Sequence, residues 1–267
     1  MLNDIKWRPR YIHKESMSQR SSSENTYPKL KFSGDSGLIV EFGDHLDLDI
    51  NQSSLLFDRA LNAERVPGII ETTPTIRSVL IRFDPLVIAH DELITILNSL
   101  LESDVWTRTI EDAPVNRWFV PAVYGGEYGP DLEQVASLGG RSEAAMIESH
   151  AMHPWRVLMV GFAPGQAYLG IHEPHWDIPR LAEINPRIPA GSIAIAIRQT
   201  VFYTNDAPTG WRVIARSPFI SFRPKSDNPF PFKPGDEVMF EPIPESDFMP
   251  LAERAAGGEL IARRVVL

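Results

Sequence analysis

The sequence predicts an α+β chain, a small N-terminal α/β sandwich followed by a β-barrel domain. Three observations carry this. Residues 29–103 alternate short apolar strand patterns with two stretches of helical period. Residues 157–216 run instead through β-rich apolar segments separated by Pro/Gly turns. Between the two, residues 103–116 (SDVWTRTIEDAPVN) lose periodicity and carry mixed charge, which places the boundary there.

Residues 1–28 are polar and Ser-rich, with Ser21–Ser23, and read as a disordered extension. A transit peptide is the weaker reading because Asp4 and Glu15 interrupt the basic run, and Met17 is an alternative start. The N-terminal α+β domain, 29–103, opens with a strand at Leu38–Phe42 entered through the turn Gly34–Gly37. Leu55, Leu56, Ala60, Leu61 and Ala63 then form a helical stripe that Val66-Pro67-Gly68 ends. Ile69–Thr72 and Ile76–Phe83 read as paired strands around Pro74, the second turning Val79, Ile81 and Phe83 inward. Asp91–Leu101 returns to helical period with Leu93, Leu97 and Leu100 on one face. Both helices are expected on one side of the sheet.

A linker, 104–116, leads to the second domain, 117–244, whose first strand is Trp118–Tyr124. Asp131-Leu-Glu-Gln134 fits a variant capping box opening a short helix, and Ser142–His150 reads as a second helix. Val157–Phe162 and Ile193–Ile197 are short buried strands, rich in β-branched residues. Pro164-Gly165, Pro189–Gly191 and Pro208–Gly210 are rigid turns that present backbone. The C-terminal tail, 245–267, holds a helix around Pro250–Ala256 and an apolar end.

Composition excludes several classes of function. At 267 residues, with 43% hydrophobic and 23% charged, the chain is an ordinary globular one. A net charge of −9 without a long basic run argues against a nucleic-acid partner. No cysteine is present, which removes thiol chemistry and disulfides and fits a reducing, cytoplasmic location. No apolar run reaches the about 18 residues that span a bilayer, so no membrane partner is expected. Walker, GxGxxG, GxSxG and HExxH motifs are all absent.

Polar side chains cluster beside the rigid turns of 157–216: Gln166, Arg180, Arg187, Ser192, Gln199 and Tyr203. Rigid turns with convergent polar groups on a β scaffold make a small-molecule cleft. Arg180 and Arg187 carry planar forks suited to a carboxylate or phosphoryl oxygen, against a structural role binding loop carbonyls. They are expected near one anion position, with the Gly191-Ser192 turn offering amides to it, or else simply turning into a strand. Gln199 and Tyr203 share a strand face and are suited to orient an amide. Trp211 reads as barrel core. Histidines 150, 153, 172 and 175 make two H-x-x-H pairs, but Pro154 and Pro174 break the helical spacing and no further ligand completes a set, so no metal site is expected. His150 is a candidate proton carrier, or a helix C-terminal histidine that satisfies free carbonyls.

The same stretch resembles a known family. Gly161-Phe-Ala-Pro-Gly165, Tyr168-Leu-Gly170, Pro179-Arg180, Arg187–Ser192 (RIPAGS), Gln199-Thr200, Tyr203 and Gly210-Trp211 follow, in order, the GFxPGFPYLG, PR…PRxRVPAGS, QTGIYP and PGGW motifs. Those motifs belong to the group formed by the 5-oxoprolinase B component and allophanate hydrolase subunit 1, carboxyltransferase-domain subunits that include a sporulation-kinase inhibitor. The resemblance extends from Gly34-Asp35-Ser36 to Pro234-Gly235-Asp236. It departs at Gln166-Ala167, where the motif has an aromatic and a proline, at Val201, at Thr209, and at Ile184-Asn185 in place of a PR.

The resemblance implies a cyclophilin-like barrel for the second domain and a role for His150, which matches a family histidine. It implies the small subunit of an ATP-dependent amide hydrolase that opens 5-oxoproline to glutamate. Arg180, Arg187, Gly191, Ser192, Gln199 and Tyr203 would then bind the small amide substrate. ATP, with Mg2+ as an option, would use a site shared with a larger partner resembling allophanate hydrolase subunit 2 or the C component of 5-oxoprolinase. Two alternatives stand beside it: a regulatory module of the histidine-kinase-inhibitor type, and a urea- or allophanate-type enzyme component.

Overall fold

The computed structural model describes residues 27–107 and 116–267. The expected extension and linker therefore fall largely outside the described residues. Strands β1 (Lys29–Phe32), β2 (Gly37–Glu41), β3 (Ile69–Pro74) and β4 (Ser78–Phe83) form an antiparallel sheet ordered β1-β2-β4-β3. Leu38 and Val40 of β2 sit opposite Ile81 and Val79 of β4, so all four point to one face. There they meet Phe57 and Leu61 of α1 (Leu48–Glu64) and Leu93 and Leu97 of α2 (His90–Glu102) in one core. β1 escapes sequence reading because a four-residue edge strand is too short to establish a period.

The buried stripe of α1 runs Asn51, Ser54, Leu55, Phe57 and Leu61, while the expected Ala63 is exposed. Hydrogen bonding is the reason. Ser54 Oγ donates to the carbonyls of Thr75 and Ser78 at 3.1 and 2.9 Å. Asn51 Nδ2 donates to Ile76 O at 3.2 Å and, across to the second unit, to Leu158 O at 2.9 Å. Buried polar groups that bond backbone carbonyls leave no mark in an apolar pattern.

The second unit comprises β5 (Asn116–Tyr124), α3 (Leu132–Leu138), α4 (Glu143–Ala151), β6 (Trp155–Val160), β7 (Ala167–Gly170), β8 (Asn185–Ile188), β9 (Ser192–Ala196), β10 (Gln199–Phe202), β11 (Ala207–Thr209), β12 (Arg212–Arg216) and β13 (Glu237–Pro242). Seven of its strands, ordered β12-β9-β10-β7-β6-β13-β5, close into a barrel through the pairing of β12 with β5. β13 runs parallel to β5 and the other neighbours are antiparallel, so the barrel is mixed. Asp236 pins the parallel pair: its carboxylate accepts from Asn116 Nδ2, Trp118 Nε1 and Lys233 N at 2.9, 3.2 and 3.1 Å. The expected α/β sandwich followed by a β-barrel is thus the fold observed.

Strand alternation gives the barrel two apolar faces. Trp118, Val120, Val157, Leu169, Ile193, Ile195, Phe202 and Phe240 fill the interior with α3 and α4 residues Leu132, Val135 and Met146. Ala194, Ala196, Val201, Tyr203 and Val213 face outward, where Ile188 and Ala207 of the two-stranded β8–β11 sheet cover them with Trp211.

One expectation is corrected. Asp131 does not cap α3 with its side chain; its Oδ2 accepts from Val213 N at 2.7 Å, and Gln134 Oε1 accepts from Arg212 Nε at 2.9 Å. Both polar groups tie α3 to β12, because the strand offers donors that a short helix can reach. The tail holds the expected helix and adds a strand to the barrel sheet. After α5 (Phe248–Ala256), β14 (Arg263–Val266) pairs antiparallel with β5, and Ala262 enters the interior core. Among the described residues no helix is long and apolar enough to cross a membrane.

Candidate functional site

Alternation along β7 and β10 builds the site on the outer face. Tyr168 lies opposite Val201, and the same pairing sets Ala167 opposite Phe202. Tyr168 and Tyr203 therefore share the outer face. Trp211 joins them, its ring edge-on to Tyr168 with centroids 6.3 Å apart. Above it sits Arg180, exposed, its guanidinium carbon 5.6 Å from the Trp211 ring centroid. Among the described residues Arg180 makes no hydrogen bond or ion pair. An unspent guanidinium supported on an indole face, beside two phenols, is chemically a receptor for an anion.

The phenols have separate roles. Tyr203 Oη is 2.7 Å from Thr209 Oγ1, which holds the hydroxyl against the hairpin. Tyr168 Oη accepts from Gln166 Nε2 at 3.2 Å. Burial pushes both phenols above their ordinary pKa, although the Arg180 charge acts the other way. Both are therefore neutral hydrogen-bonding groups at neutral pH, not phenolate bases.

The loop from Gly161 to Gln166 forms the rim. Gly161 N donates to Gln166 O at 2.9 Å and Gln166 N to Ala163 O at 3.1 Å. Thr204 Oγ1 donates to Pro164 O and Ser221 Oγ to Gly165 O, at 2.9 and 2.7 Å. This framework holds Phe162 at φ 71°, a left-handed conformation costly for an aromatic residue, with its side chain 84% exposed.

The expected convergence of Arg180, Arg187 and the 189–192 turn is not what the structure builds. Arg187 Nε and Nη2 both donate to Asp206 Oδ2, at 3.0 and 2.7 Å, and Ala190 N donates to Asp206 Oδ1 at 2.9 Å. The anion at this turn is the chain's own Asp206. Arg187 holds its carboxyl below the usual range, with help from the Ala190 amide. Gly191 N donates to Tyr203 O and Ser192 N to Pro189 O, at 2.9 and 3.2 Å, so neither amide faces a ligand. Ser192 Oγ also donates to Pro189 O, at 2.7 Å. Gly191 is required there on two counts: its φ is 84°, and a Cβ would meet Ser217 O at 2.2 Å.

His150 lies inside the barrel, away from this face. Its Nδ1 is 2.7 Å from Tyr124 Oη, its Nε2 is 2.9 Å from Thr200 Oγ1, and its ring stacks on Phe240. Burial pushes its pKa down to about 3, which withdraws the near-neutral proton exchange expected of it. The two H-x-x-H pairs are split by the fold. His172 joins His150 in the core, its Nε2 2.7 Å from Thr200 Oγ1, whereas His153 and His175 line an outer groove with Arg141 and Glu173. Gln199 is buried at the start of β10, and its Nε2 has no partner among the described residues.

Gln166 is one of the polar groups read from the sequence, and Tyr168 was within reach of the same reading, since both follow the Pro164-Gly165 turn beside a strand. Asp206 was not, because nothing in the spacing marks it as the partner of Arg187. Trp211 is buried in the outer cluster as expected of a core residue, yet its ring also carries Arg180.

Comparison with known proteins agrees with this architecture. A family model described as carboxyltransferase domain, subdomain C and D, matches residues 28–232. The B component of 5-oxoprolinase from Bacillus subtilis (strain 168) is 35% identical over 223 residues, spanning 80% of this chain and 92% of that protein. Among solved structures, TTHA0988 superposes with a TM-score of 0.67 at 28% identity, covering 78% of this chain and 40% of that one. The K. lactis urea amidolyase gives a TM-score of 0.73 at 17% identity, covering 89% of this chain but only 16% of that one, and speaks to the fold alone.

Proposed function

The chain belongs to the carboxyltransferase domain, subdomain C and D, family, and from that premise we propose that it is the small subunit of an ATP-dependent 5-oxoprolinase. The reaction takes 5-oxoproline, ATP and water to glutamate, ADP and phosphate, breaking the C–N bond of a cyclic amide. The observation that carries this reading is Arg180, the unpaired guanidinium on Trp211 beside Tyr168 and Tyr203. 5-Oxoproline has one carboxylate on a small polar ring. Arg180 takes the carboxylate, Trp211 beneath it floors the ring, and the neutral Tyr203 phenol supplies a hydrogen bond. The chain's share of catalysis is to bind and orient the lactam.

ATP and its Mg2+ are assigned to a site shared with a larger partner, of the type of allophanate hydrolase subunit 2 or the 5-oxoprolinase C component. The 189–192 turn does not fit a phosphate cradle, because it spends the amides of Ala190, Gly191 and Ser192 internally. A cytoplasmic location goes with this reading, as ATP is drawn from the cytoplasm.

Coexpression with the larger subunit, followed by a 5-oxoproline-dependent assay of ATP hydrolysis, tests the proposal. Substrate-dependent turnover by the pair, lost on Arg180→Met with an unchanged melting curve, is the expected result. Turnover by this chain alone removes the need for a partner, and no turnover by the pair sinks the reading.

A second reading, a regulatory module that binds another protein, is favoured by Phe162. A large aromatic held out on a strained, hydrogen-bonded loop is an anchor for a protein surface. Copurification of a histidine kinase in place of the larger subunit selects this reading.

A further inference from the structure

Gln166 is 1% exposed and sits one residue before β7, where the Ala167–Phe202 pairing continues toward Tyr203. Its main chain is fixed at both ends, by Ala163 O and by Gly161 N, which sets the direction in which the side chain leaves the loop. Only half of its carboxamide is used: Nε2 donates to Tyr168 Oη at 3.2 Å, and Oε1 has no partner among the described residues. Buried amides nearly always pair both ends. Tyr168, the amide's hydrogen-bond partner, is itself only partly buried.

We propose that Gln166 determines the specificity of this cleft by pairing its carboxamide with the cis amide of the bound ligand, while Arg180 holds the ligand's carboxylate. The inference rests on the 5-oxoproline reading above and names the group that recognises the lactam. A five-membered lactam is locked cis, so its N–H and C=O point to the same edge. An open-chain secondary amide is trans and points them to opposite edges. A side-chain carboxamide also presents one donor and one acceptor on one edge. Gln166 Nε2 donates to the lactam carbonyl, replacing the Tyr168 hydroxyl, and Oε1 accepts the lactam N–H. Two parallel hydrogen bonds then use the amide fully, and they also polarise the carbonyl that must be attacked. The Tyr168 hydroxyl makes one long hydrogen bond to the amide, at 3.2 Å, and the ligand carbonyl takes its place.

The test measures affinities by calorimetry for the full chain together with its larger partner. The ligands are 5-oxoproline, its lactone analogue with ring oxygen in place of N–H, and N-methyl-5-oxoproline. The unsubstituted protein is expected to prefer the lactam over both analogues by about tenfold or more, because each leaves Oε1 unpaired. Gln166→Leu is expected to bring that preference to within about twofold, with thermal melting reported alongside.

A folded Q166L protein that still prefers the lactam overturns the inference. So does an unsubstituted protein that binds lactam, lactone and N-methyl lactam alike, a result that needs no variant to fold. Failure of the unsubstituted pair to bind 5-oxoproline at all brings down the functional reading, and this inference with it.

Discussion

Arg187 is spent on Asp206. Both Nε and Nη2 reach Oδ2, at 3.0 and 2.7 Å, and the pair clips β8 to the turn before β11. Arg180, seven positions earlier in a segment equally rich in proline and arginine, pairs with nothing among the described residues but the face of Trp211.

Arg180 and Arg187 should therefore separate in a binding experiment. Arg180→Met is expected to weaken 5-oxoproline binding by about tenfold or more, the loss of one charge-assisted contact. Arg187→Met is expected to leave affinity within about twofold. Equal losses from the two variants would return Arg187 to the ligand site.

The Asp206 pair makes a pH prediction with a definite sign. A carboxyl held below its ordinary value of 3.8 contributes stability above that pH and loses it as pH falls through the folded value. The melting temperature of Asp206→Asn should lie below that of the unsubstituted protein at pH 7. The gap should close in acid, below the ordinary carboxylate pKa. A gap that persists unchanged there would show that the ion pair is not its source.

The buried histidines act in a different window. His150 is held neutral down to about 3, and His172 is pushed down by the same burial, against an ordinary value of 6.5. On acidification the unfolded chain takes up the proton first, so stability is complete above 6.5 and falls below it. The limiting slope is about 1.4 kcal/mol per pH unit for each ring. His150→Gln should flatten the decline in urea midpoint between pH 6.5 and 4, even though it lowers stability at pH 7. Parallel pH profiles for the two proteins would contradict this.

Gly191 should tolerate no side chain. Its φ of 84° and the 2.2 Å approach of a Cβ to Ser217 O add strain and overlap in Gly191→Ala. A loss of about 2 kcal/mol or more is expected in the denaturant midpoint. Gly210→Ala, with nothing within 4 Å of its Cβ, is the matched control and should cost far less.

Much of the fold was legible because short-range pattern reports which face is buried. Val79, Ile81 and Phe83 alternate into the first core, and Leu93 and Leu97 follow helical period into the same core. Gly191 and Pro234-Gly235 mark turns because only certain residues fit them. Arg180 and Tyr203 were identified from their place beside such turns, and both lie on the outer face of the barrel.

What the sequence by itself determined, then, was the order of the longer elements, the face their apolar residues bury and the stretch that carries the candidate site. Those properties depend on neighbours a few positions away. Only the tertiary structure decided which polar groups are already paired. Asp131 and Gln134 turn to β12 in place of capping α3, Asp206 neutralises Arg187, and Tyr124 and Thr200 enclose His150. β14 likewise finds β5 from the far end of the chain. A hydrogen bond needs a partner within about 3 Å, and barrel closure brings that partner from residues far away in sequence.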